Sequence, residues 1–176
     1  MRFQELNPMV RKKRWRDFTP EELPSRQSIV VGLSSCAIAL PGIAALPCDS
    51  CIFAPHGNWV HFLVCINAAL WSFLADYTFA GNSAGSIRSL RFEVHRVDRY
   101  NAFFSITFFS IEFVRAGLLP NLICCISFLC AGFLYSRNAP TPESWFFRHA
   151  VWHAVLVVIL FYAIHVLDGS QGNLLV

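Results

Sequence analysis

Two histidines, His149 and His153, stand one helical turn apart in the last long apolar stretch of the chain. That i, i+4 separation lets two imidazoles grip one metal ion. Ser72 and Asp76 share the same spacing in an earlier apolar stretch and so lie on one helical face. His95 and Asp98, spaced i, i+3, lie together at the start of a third. Ionisable groups inside a membrane are costly and by default mark function. Imidazole and carboxylate ligands together suit zinc, and suit iron or another transition metal less well.

The elements that must carry these residues are membrane helices. Of 176 residues, 55% are hydrophobic and only 14% charged, with a mean hydropathy of +0.48. A soluble domain carries roughly 25% charged residues, so this chain has too little polar material to cover a water-facing surface. The 17 Phe and 5 Trp suit lipid-facing and interfacial positions. A net charge of only +3 gives nucleic-acid binding no support. Five apolar stretches stand out, over residues 29–46, 59–80, 100–119, 121–135 and 147–167. A spanning helix needs about 20 mostly apolar residues, which the second and fifth supply. The first contains Pro41 and Gly42, tolerable with a kink. The third carries Glu112 and Arg115 and the fourth is short. Residues 100–135 therefore read as a tight helical hairpin turning at Gly117 and Pro120, against the plainer alternative of one bent span and a re-entrant piece.

The loops set the orientation. Residues 1–27 hold seven basic side chains, and the loop over 81–99 holds Arg88, Arg91, Arg96 and Arg99. Arg137 and Arg148 lie in the segment 136–148, whereas the loop 47–58 and the tail after Leu167 hold no Lys or Arg. Basic and non-basic loops alternate, as five crossings require, and the positive-inside rule puts the N-terminus inside and the C-terminus outside. The expectation is an all-α, polytopic transmembrane bundle of about five helices, an integral multi-pass membrane protein. A basic cytosolic arm (1–27) precedes a transmembrane domain (28–168) and a short outer tail (169–176). The run Arg11–Arg16 reads as an anchor against anionic headgroups. In this topology Asp76, His95, Asp98, His149 and His153 all fall at one depth, just within the inner leaflet.

Each of these residues also has a plainer reading. His149 beside Arg148 could be interfacial, Asp98 could pair with Arg99 or favour a helix N-terminus, and Asp76 could cap its helix or pair with Arg96 or Arg99. Glu112 and Arg115 read as a structural pair, and His61 and His165 as structural. Cys36, Cys65, Cys124, Cys125 and Cys130 lie in apolar helices, where Cys behaves as a small hydrophobe. Cys48 and Cys51 form a lone C-x-x-C pair in an outer loop, open to a disulfide; a zinc site there would want two more ligands. A haem carrier is disfavoured, because i, i+4 imidazoles cannot occupy opposite axial positions of one haem.

Ser72-x-x-x-Asp76, Asp98 at a helix start and His149-Ala-Val-Trp-His153 in the last helix together resemble the CREST superfamily of membrane proteins, which includes alkaline ceramidases, adiponectin-receptor-like proteins and transmembrane-8-like proteins. The resemblance covers residues 70–104 and 147–160. It implies a zinc site with His149 and His153 as ligands, and an amide or ester of a membrane lipid as substrate. Asp98 is then a general base or an orienting group, and Ser72 orients the water or the oxyanion. The chain departs from the family in two ways. Asp76 stands where the family has a third His, so that Asp76 or His95 must complete the metal's ligands. Only about one hairpin fits between Asp98 and His149, two helices fewer than the family's core. The implied function is metal-dependent hydrolysis of a lipid within the membrane. The rival is a non-catalytic multi-pass subunit or scaffold that grips membrane-complex partners through its N-terminal arm.

Overall fold

The computed structural model describes residues 28–46, 58–78 and 85–172. The basic arm, the loop bearing Cys48 and Cys51, and residues 173–176 lie outside the described residues. All regular structure among the described residues is helical: α1 (Ile29–Ala37), α2 (Ala39–Ala44), α3 (Trp59–Phe73) running on into a π-helical turn (Leu74–Thr78), α4 (Gly85–Arg115), α5 (Leu119–Arg137) and α6 (Pro142–Gly172). Helices α1 and α2 are two pieces of one rod, so the described residues form five rods. Three of the helices, over Trp59–Thr78, Leu119–Arg137 and Ser144–Ser170, are long and apolar enough to cross a membrane, and Ile29–Ala44 is a shorter apolar helix.

The sequence explains each break. Pro41 has no N–H to offer the carbonyl of Ala37, and its ring crowds that carbonyl. The first rod accordingly breaks at Ile38, whose N–H turns instead to Ser35 O at 3.2 Å. The expected hairpin is present and turns where Gly117 and Pro120 place it. Gly117 has φ +72°, the left-handed region that favours glycine. Leu118 N donates to Phe113 O at 2.9 Å and Gly117 N to Val114 O at 3.1 Å, the paired bonds of a Schellman cap. Pro120 then sits in the first turn of α5, where a missing N–H is harmless. Helix α6 starts earlier than hydropathy suggests because Thr141 and Ser144 cap it reciprocally, each backbone N–H reaching the other's hydroxyl at 3.1 and 3.2 Å. Helix α4 likewise begins at Gly85, far ahead of the apolar stretch that starts near Tyr100. Its leading part carries Arg88, Leu90, Arg91 and Glu93, which are good helix formers, and the loop expected over 81–99 is helix from Gly85 on. The segment from Asp98 to Arg115 also holds Arg99 and Glu112, which keeps α4 out of the set of strongly apolar helices. Glu112 and Arg115 do pair, at 3.3 Å.

Helix α6 is contacted by α1, α2, α4 and α5, while α3 packs against α1, α2 and α4. The core gathers Ile38, Val64, Phe109, Phe113, Leu160 and Ile164. Lipid tails are as apolar as Leu, so helices associate in a membrane through close packing and interhelical hydrogen bonds. Both are present. At Gly42 a Cβ would come within 2.6 Å of Cys65 Cβ and 3.1 Å of Phe62 O, so the missing side chain lets α2 lie directly on α3. Asn67 on α3 donates to Asn101 on α4, and Asn121 on α5 donates to Tyr162 on α6 at 2.6 Å. The outward surface is greasy: Phe103 is 71% exposed, Val158 67% and Leu33 66%.

Candidate metal centre

Helix α6 supplies the two imidazoles. One turn apart, their ring centroids are 4.5 Å from each other. Opposite them the π-helical turn ends α3 and carries Asp76. A π turn holds one more residue than an α turn, and such turns are frequent at functional sites. Asp76 Oδ2 lies 2.9 Å from His149 Nε2 and 3.5 Å from His153 Nε2. The ligand atoms of Asp76, His149 and His153 all fall within 4.8 Å of one another, so the three could hold one metal ion. Tetrahedral zinc with bonds near 2.1 Å places its ligand atoms roughly 3.4 Å apart. The two distances to the carboxylate already lie close to that separation.

The other ring nitrogens are held by serines. Ser34 Oγ on α1 lies 2.9 Å from His153 Nδ1, and Ser136 Oγ on α5 lies 2.9 Å from His149 Nδ1. The Ser34 hydroxyl donates its only proton to Val31 O at 2.8 Å. It can therefore only accept from His153, which fixes the proton of the neutral ring on Nδ1. The Nε2 lone pair of His153 is left turned toward the Asp76 carboxylate. The Ser72 hydroxyl lies 3.3 Å from each of these two atoms, and a cation placed there would meet the same pair of acceptors. Holding the far nitrogen of a ligating His is the usual way a protein orients the ring and sets its tautomer. Trp145 stacks on His149 at 4.4 Å with 22° between the planes, which restrains the second ring.

Ser72 completes the group. Its Oγ lies 3.3 Å from Asp76 Oδ2, 3.3 Å from His153 Nε2 and 3.3 Å from Ser35 Oγ. Ser72, Asp76 and His153 are all buried. These groups line one end of a cavity of about 960 Å³, counting the space open to its surroundings. Asp98 and Asn101 on α4 line the same end. Beyond them the lining becomes apolar, with Val64, Ile106, Phe109, Leu156 and Leu160 among its residues. Along α4 the cavity runs from Asp98 to Phe113, roughly 22 Å at 1.5 Å per residue.

Of the residues singled out from the sequence, the structure thus brings Ser72, Asp76, Asp98, His149 and His153 to one cavity. Asp76, and not His95, completes the compact three-residue group. His95 is half-buried and lies outside both that group and the cavity lining. The Arg partners considered for Asp76 turn elsewhere: Arg96 reaches Glu93 at 3.2 Å, and Arg99 donates to His95 O at 3.2 Å. Sequence reasoning missed Ser34, Ser136 and Asn101. None of the three is ionisable, so neither charge nor paired spacing marks them in the sequence. No protein-family model, curated protein or solved structure matches this chain, so the site stands on its own geometry.

Proposed function

We propose that this chain is an intramembrane metal-dependent hydrolase that cleaves an amide or ester bond of a lipid, with zinc as its metal. The observation that carries the reading is the position of the Asp76, His149 and His153 group: buried, with a serine hydroxyl alongside, at the polar end of a long apolar cavity. A few converging polar groups in an otherwise apolar cavity is the usual form of a small-molecule site. Two His and one carboxylate leave a fourth zinc position open, as catalytic zinc sites do. The resemblance to the CREST superfamily points the same way. In this reading the helices cross the membrane five times, with the N-terminus inside and the site near the inner leaflet.

His149 and His153 would hold the metal through Nε2, and Asp76 through a carboxylate oxygen. Zinc so bound would supply a Lewis acid and a water that ionises near neutral pH. The remaining work belongs to the chain's own residues. Asp98, lining the cavity from α4, accepts the proton of the attacking water and returns it to the leaving group. Ser72 donates to the oxygen that gains charge. Ser34 and Ser136 keep both rings aligned, and the apolar walls of the cavity exclude bulk water and receive the acyl chain.

The test is metal analysis and lipid hydrolysis on detergent-purified full-length protein. About one zinc per chain is expected, with metal-dependent release of fatty acid from an N-acyl or O-acyl lipid. Loss of both is expected in the His149→Ala/His153→Ala double variant. A wild-type protein that binds no stoichiometric metal near neutral pH overturns the reading and leaves a structural membrane subunit in its place.

A further inference from the structure

Asn101 is 8% exposed and lies one turn beyond Asp98 on α4, on the cavity wall. Its Oδ1 accepts from Asn67 Nδ2, while its own Nδ2 finds no partner within the protein. A buried amide N–H without an acceptor costs free energy unless something else supplies one. Ser105, the next cavity residue outward on this face, donates to the Asn101 backbone carbonyl at 2.9 Å. Asn67 enters from α3 and fixes the side chain by its other end, so that the free donor is held in place.

We infer that Asn101 is a specificity-determining residue, and that its Nδ2–H donates to an acceptor oxygen on the acyl arm of the substrate, close to the scissile carbonyl. The inference rests on the hydrolase reading above and names the substrate class more narrowly. Three residues separate Asn101 from Asp98, a rise of roughly 4.5 Å along the helix. With the carbonyl at the level of Asp98, Asn101 lies at the level of the first few carbons of the chain. The oxygen it meets is therefore a hydroxyl or keto oxygen near the carboxyl end. The preferred substrate is an oxygenated acyl lipid, and a plain saturated chain leaves the donor unpaired.

The experiment is competitive displacement of a fluorescent long-chain fatty acid from the zinc-loaded, full-length protein in detergent, by hexadecanoate and by 3-hydroxyhexadecanoate. The wild type is expected to favour the hydroxy acid by about tenfold, the worth of one hydrogen bond. Asn101→Leu is expected to bring the ratio to about one. The Asn67→Leu/Asn101→Leu double variant removes both partners of the amide pair, leaves no orphaned group, and is expected to show the same loss. Equal affinities in the wild type, or a preference that survives in the variants, overturns the inference. If both acids bind alike while metal-dependent hydrolysis persists, Asn101 alone has been misassigned. If neither acid displaces the probe and no metal is held, the hydrolase reading falls and takes this inference with it.

Discussion

Replacing Ser34 with Ala tests the centre at its least conspicuous point. Ser34 belongs to neither the metal group nor the cavity lining, and it touches the site only through the 2.9 Å contact with His153 Nδ1. Without the hydroxyl, the His153 N–H loses its acceptor in a site where His153 is 3% exposed. An orphaned buried donor costs about 1–3 kcal/mol, and loss of an outer partner of a metal-ligating His typically weakens metal binding 10–100-fold. The two figures agree, since about 1.4 kcal/mol is tenfold in an equilibrium constant. The expected outcome is a 10–100-fold rise in the zinc dissociation constant, read by competition with a chromophoric chelator in detergent. Ser35→Ala is the control: Ser35 Oγ also bonds Val31 O, at 3.0 Å, but its recorded side-chain neighbour is Ser72 and not an imidazole. It should change zinc affinity by about threefold or less, against the 10–100-fold of an orienting partner. Zinc affinity within about twofold of wild type in Ser34→Ala, where 10–100-fold is expected, would refute the claim that this serine orients a ligand.

Ser72→Ala should keep its metal, measured by elemental analysis, while lipid hydrolysis falls by about a hundredfold, the usual loss on removing one donor to a developing oxyanion. Gly117→Ala should cost about 1 kcal/mol in thermal unfolding, because only the left-handed backbone is penalised and nothing lies within 4 Å of the added Cβ. Gly42→Ala should cost more, because its Cβ meets Cys65 and the Phe62 backbone. Tags at the two termini should be found on opposite faces of the membrane by protease protection; both on one face would show that the number of crossings is even.

The fold was legible where its signals were local and apolar. The α4–α5 hairpin could be read from Gly117 and Pro120, because a left-handed cap and a proline in the next first turn leave the chain few other conformations. The break at Ile38 follows from Pro41 in the same way. The leading part of α4 was hidden because hydropathy registers apolarity and not helicity, and a charged helix looks like a loop to it. At the site, charge and spacing exposed the histidines and both aspartates. The serines stayed hidden for a physical reason: a hydroxyl in an apolar helix usually bonds back to the carbonyl one turn earlier. Ser110 and Ser127 do so, to Ile106 O at 2.7 Å and Ile123 O at 2.8 Å. Nothing in the sequence separates these from Ser136, which reaches across to His149. The π turn at Leu74–Thr78 was equally illegible, since Ser72 and Asp76 look properly spaced on an ordinary helix.

The contact between Ser34 and His153 joins positions 119 apart in sequence. Helix α1 leaves the ribosome first among the described helices and α6 last, and the two pack directly together. A nascent chain therefore holds Ser34, Ser72 and Asp76 well before either imidazole exists, and these alone make a poor zinc ligand set. On the proposed reading, metal capture would wait until synthesis has passed α6 and the final helix has packed against α1 and α5. The order of translation would then keep the half-built protein from cellular metal, and loading would report that the bundle has closed.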